Sequence, residues 1–158
     1  MKNVLLYLVL GTAAAFASAS EIHIAEKIPY QDESRINHRI VSECTEIGTV
    51  LSESVVKHAA AKGLNVVRSA APENQAVYAK IEIESAISAG SAFIGHWKGI
   101  SLSTTLYQDG RETAQNSFKR NSTGGMFGGF KGSCSVLYRT ANVLGKDIAG
   151  WLASQNRP

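Results

Sequence analysis

Apolar positions along this chain follow two periods, one of two residues and one of three to four. In EIHIAEKI, Ile22 and Ile24 alternate with polar neighbours and Ile28 follows after a slip, which predicts a first strand closed by Pro29. The next segment, YQDESRINHR, is largely polar and reads as a connection. Cys44, Ile47, Leu51, Val55 and Ala59 then recur at steps of three and four, a single apolar stripe along a helix. Ser42 is placed to cap that helix, Glu43 and Glu46 complement its dipole, and Gly63 ends it after Lys62. LNVVRS predicts a short strand, and SAAPENQ a loop after it.

The middle of the chain alternates. Val77, Ala79, Ile81, Ile83 and Ile87 fall on one face of a strand, with Tyr78, Lys80, Glu82 and Glu84 on the other. A strand with one wet face belongs in an antiparallel sheet. GISLSTTLY points Ile100, Leu102 and Leu106 inward and a Ser/Thr row outward, and Asp109-Gly110 is a two-residue hairpin signal that returns the chain through RETAQNSFKR. A second helical stripe runs through Cys134, Leu137, Ala141, Leu144, Ile148 and Leu152, with Trp151 beside it. The order β-α-β-β-β-β-α predicts an α+β fold, two helices packed on one face of a mainly antiparallel sheet of four to five strands.

The first twenty residues change the picture of where this domain works. Lys2, the apolar run Val4 to Leu10 and the small residues Ala17-Ser18-Ala19 match an export signal cleaved after Ala19. The other reading, a retained anchor, needs about 20 apolar residues, and Gly11-Thr12 interrupts the run. A single domain over 20–158 is expected, periplasmic or secreted, with no transmembrane segment after cleavage. No cysteine near the cut invites a lipid.

Charge in that domain is nearly balanced, 15 basic against 13 acidic residues once Lys2 is removed, but unevenly placed. Glu21 to Trp97 holds ten acids and seven bases, net −3, and Lys98 to Pro158 holds three acids and eight bases, net +5. A basic second half can favour an anionic partner, but the bases are scattered along the sequence, so a mildly polar surface accounts for them and no nucleic-acid partner is expected. Two cysteines, Cys44 and Cys134, read as a disulfide in an exported chain. A pair of buried thiols or a Cys-His site is the other reading. A bridge would close a loop of about 90 residues and contribute about 4 kcal/mol by chain entropy.

Chemistry is hard to find. The glycine stretch GGMFGGFKGSC, Gly124 to Cys134, is not a P-loop: from Gly125 the six-residue frame ends on Phe130, and Gly132 separates Lys131 from Ser133. It also lacks dinucleotide spacing, although an anion nest at the helix start stays open. Its better reading is a stapled turn: Ser133 caps the second helix, Cys134 and Cys44 each lie in a first turn, and a bridge would tie two helix N-termini together. His23, His38, His58 and His96 show no ligand spacing. Glu82 and Glu84 share a strand face at about 7 Å, which is more often solubility than catalysis. Asn121-Ser122-Thr123 fits a glycosylation sequon, relevant only in a eukaryotic secretory pathway. No catalytic, cofactor-binding or metal-binding residue is therefore assigned.

From Ser42 onward the chain resembles a group of small exported proteobacterial proteins of unknown function. The resemblance rests on SEC at the first helix, GHWKG before the hairpin, and FKRNSTGGMFGGFKGSCSVL running into LGKDIAGWL. Members often carry another cysteine in the last helix. Here Thr140 or a neighbour occupies that region, which leaves Cys44 with Cys134 as the one available pairing. The resemblance implies no activity, cofactor or catalytic residue. The expectation is a disulfide-stapled, non-catalytic domain that binds an envelope protein through the glycine loop with Phe127, Phe130 and Lys131, joined by Trp97 and Arg120. Two alternatives stand beside it, an inhibitor or immunity protein against an envelope hydrolase or toxin, and an enzyme with an unrecognised site.

Overall fold

The computed structural model describes residues 21–91, 95–122 and 132–156. The expected export signal lies outside them. Five strands form one sheet: β1 (Ile22–Ala25), β2 (Val66–Ser69), β3 (Val77–Ser91), β4 (Gly95–Gln108) and β5 (Arg111–Ser122). Three helices accompany them, α1 (His38–Glu43), α2 (Ile47–Ala60) and α3 (Ser133–Gln155). The spatial order is β2-β1-β3-β4-β5. β1 runs parallel to both β2 and β3, and the β3-β4-β5 meander is antiparallel. The sheet is therefore mixed but mainly antiparallel, and the α+β reading holds.

One core lies between sheet and helices. Ile22 and Ile24 of β1, Ile81 and Ile83 of β3, and Leu102 and Leu106 of β4 meet Leu51 and Val55 of α2 and Leu144 and Ile148 of α3, all buried. The helical stripe expected from Leu137 to Leu152 is fully buried at every position. Each of these positions was legible because burial on one side of an element leaves its period in the sequence.

The first helix differs from expectation. Its N-cap is Asn37, whose side chain accepts from the Arg39 amide at 2.9 Å, so Ser42 lies inside α1 rather than ahead of it. The helix then breaks: Cys44 is the C-cap of α1, and α2 restarts after Glu46. Because Ile40, Cys44 and Ile47 are all buried, the stripe crosses the break and conceals it in the sequence.

The second departure is in β3. A bulge between Ile83 and Ser85 inserts Glu84 and reverses the alternation beyond it. Ala86, opposite buried Ile100, takes the inward place expected for Ile87, which is only half-buried opposite Gly99. The bulge lies where the chain after β1 returns to the sheet. Ile83 donates its amide to the Pro29 carbonyl and accepts from the Gln31 amide, each at 2.9 Å. At the hairpin, Asp109 and Gly110 both adopt positive φ, 50° and 75°, as a two-residue primed turn requires.

Candidate partner-binding surface

Cys44 and Cys134 form a disulfide with their Cα atoms 5.1 Å apart. The bridge joins the α1–α2 junction to the second residue of α3. Gly132, not Ser133, holds the N-cap position of α3, and Ser135 donates its hydroxyl to the Gly132 carbonyl at 2.9 Å. Cys44 likewise ends one helix rather than sitting in the first turn of another. Gly124 to Lys131, and with them Phe127, Phe130 and Lys131, lie outside the described residues.

Trp97 and Arg120, expected on one contact surface, project to opposite faces of the sheet. Arg120 pairs across the ladder with Ile100 and shares its helix-covered face, whereas Trp97 has the opposite parity. Trp97 is 40 % exposed, and the Lys119 ammonium lies 5.9 Å from its ring centroid, a cation–π pair on the open face. Arg120 grips Asp147 of α3 with two donors, Nε to Oδ2 at 2.7 Å and a terminal amine to Oδ1 at 2.9 Å. The bidentate fork ties β5 to α3, and the carboxylate raises the guanidinium pKa further, first by hydrogen bonding and then by its charge. Phe118 meets Trp151 edge-on, centroids 6.2 Å apart, beneath this pair.

Two clefts open along the junction of β5 with α3. The first, about 430 Å3, is lined by Lys62, Phe118, Lys119, Arg120, Lys146 and Asp147. The second, about 300 Å3, shares Arg120 and extends past Arg139 and Val143. Bases that are dispersed in the sequence converge here, a gathering that sequence reasoning missed. One signal was available: Arg139, Val143 and Lys146 recur at steps of four and three, off the buried stripe, and so share a second face of α3.

Elsewhere most polar side chains that line clefts or strands engage one another, although the buried His23 Nδ1 and Thr104 hydroxyl have no hydrogen-bond partner among the described residues. A cleft of about 440 Å3 is lined by Lys27, Tyr78, Lys80 and Glu82 beside apolar residues. Within it the Lys80 ammonium bonds Glu82 at 2.9 Å, and that hydrogen bond holds the Lys80 pKa above its ordinary value. Glu84 occupies the bulge, while Glu82 is engaged by Lys80. Tyr78 stacks on Tyr107 with centroids 4.7 Å apart. His23 pairs with Glu21 at 3.0 Å. Among the described residues, no group of three His, Cys, Asp or Glu side chains could hold a metal, and no helix is long and apolar enough to cross a membrane.

No family model and no curated protein matches the sequence. Among solved structures, the chain is similar to a PelC dodecamer from Paraburkholderia phytofirmans, with TM-score 0.53 over 87% of this chain and 92% of that one, at 12% identity. A minor lipoprotein from Acinetobacter baumannii superposes with TM-score 0.48 over 89% of this chain and 97% of that one, at 9% identity. What the chain has in common with PelC, at such low identity, is its fold.

Proposed function

We propose that this chain is an exported, non-catalytic binding domain of the cell envelope that engages a protein partner along the β4–β5 side of its sheet. The observation that carries this reading is the Trp97–Lys119 pair, an aromatic ring left 40 % exposed beside a cation on an open sheet face. Aromatic and cationic side chains of this kind anchor interfaces, where truncating one costs 1 kcal/mol or more. The fold likeness to a protein that forms dodecamers supports a domain that works through protein contacts. Capture from envelope extracts tests the proposal. The native chain should retain a stoichiometric partner that Trp97→Ala loses while its melting temperature stays unchanged. Equal capture by both proteins would remove the Trp97 surface from consideration. A captured hydrolase inhibited by the chain would shift the reading to an inhibitor.

A further inference from the structure

The groove along α3 and β5 has features that an ordinary solvated face does not need together. Its two clefts meet at Arg120. Arg139, Val143, Lys146 and Gly150, at steps of four, three and four, line it from one face of α3 and span about 16 Å at 1.5 Å per residue. It is long rather than round.

Its charge is one-sided. Four cationic side chains line it, Lys62, Arg120, Arg139 and Lys146, against the single carboxylate Asp147, while Lys119 borders it with its ammonium turned to Trp97 on the open face. Arg120 already engages that carboxylate with two donors. No carboxylate among the described residues forms an ion pair with Lys62, Arg139 or Lys146. Val143, 46 % exposed, lies among them and is, with Trp97, one of two large exposed apolar residues described. Finally, β5 is the last strand of the sheet, and among the described residues no strand pairs its outer edge. A free edge can be extended by an incoming strand, the backbone supplying affinity and alternate side chains supplying specificity.

We propose that this groove accepts an extended acidic peptide segment of a partner protein, which adds to the free edge of β5 and seats an apolar side chain on Val143 between carboxylates held by Arg139 and Lys146. About five residues of strand cover the length, at 3.3 Å each. Charge complementarity selects the occupant's sign, and the free edge with its apolar seat selects a peptide over a phosphate or a lipid headgroup, which would use the cations alone. The inference rests on the binding reading above and names the class of its partner.

The test uses the full chain and synthetic peptides in a titration calorimeter. A peptide carrying Glu-Ser-Val-Ser-Glu, which places both carboxylates and the valine on one face of an extended strand, should bind, and amide exchange should slow along β5 in the complex. Arg139→Glu combined with Lys146→Glu should weaken binding at least tenfold, and a proline in mid-peptide should do the same. If the charge reversals do not fold, Arg139→Gln with Lys146→Gln replaces them. Four results would each overturn the proposal: no peptide binding, equal binding of the proline peptide, preference for phosphatidylglycerol vesicles or inorganic phosphate over the peptide, or self-association that the Arg139/Lys146 variant abolishes. Loss of the groove with Trp97-dependent capture intact would leave the binding function standing. Loss of capture by the native chain would remove both.

Discussion

Thr104 sits in β4 between Leu102 and Leu106, fully buried, and its hydroxyl finds no hydrogen-bond partner among the described residues. A buried hydroxyl without a partner costs about 1–3 kcal/mol of desolvation. Thr104→Val keeps the shape and removes that cost, so it should raise stability by about 1 kcal/mol, read as a higher denaturant midpoint with unchanged slope. A lower midpoint would show that the oxygen is satisfied after all. Tyr30 presents the opposite case, a half-buried phenol whose burial, with smaller contributions from Glu33 and Tyr138, raises its pKa above 10.0. The folded pKa exceeds the unfolded one, so this contribution is fully present below pH 10 and is lost as pH rises through the folded value. Tyr30→Phe should therefore flatten the fall in stability on the alkaline side. Identical alkaline limbs for the two proteins would argue that the ring is wetter than its burial implies.

At the scale of elements, two hydroxyls and one glycine hold α2 in place. Ser52 donates to the Ala25 carbonyl of β1 at 2.8 Å, and Ser54 donates to the Asn142 carbonyl of α3 at 2.7 Å. Gly145 makes the second approach possible, since a Cβ there would lie 2.5 Å from both the Cβ and Oγ of Ser54 and 2.9 Å from the Val55 nitrogen. Backbone at that distance cannot turn aside. Gly145→Ala should cost about 1–3 kcal/mol by overpacking, despite alanine's better helix propensity, and calorimetry should show the lower transition. Stabilisation instead would mean that α2 and α3 slide apart freely. The broken first helix and the bulge in β3 belong to this scale too. Both coincide with contacts distant in sequence, the bridge to Cys134 and the return of Pro29–Gln31 onto Ile83.

For the molecule as a whole, the Cys44–Cys134 bridge closes a separation of 90 residues, from the α1–α2 junction to the start of α3. Cys134→Ser should lower stability by about 2–5 kcal/mol, the usual range for native bridges in small domains. Urea unfolding with and without reductant measures it, and the variant should lose the sensitivity to reductant that the native protein shows. A native midpoint unaffected by reductant would count against the bridge as a staple. Packing of α2 along α3 brings Lys62, just beyond the end of α2, to the cleft that β5 and α3 form.

The sequence by itself determined the element types, the hairpin turn and most of the core, because each element buries one face and its period survives in the order of residues. Ile22 with Ile24, and Leu137 through Leu152, needed no knowledge of their partners. The cysteine pair was legible in the same way, from count and compartment. Tertiary structure alone decided the parallel neighbours of β1, the break at Cys44, the inward turn of Ala86 and the separation of Trp97 from Arg120 across the sheet. It also decided where charge gathers. Lys62, Arg120, Arg139 and Lys146 are scattered along the chain, and no local pattern relates a helix end, a strand and two positions on another helix. Their convergence depends on how sheet and helices stack, and stacking is set by contacts between residues far apart in sequence.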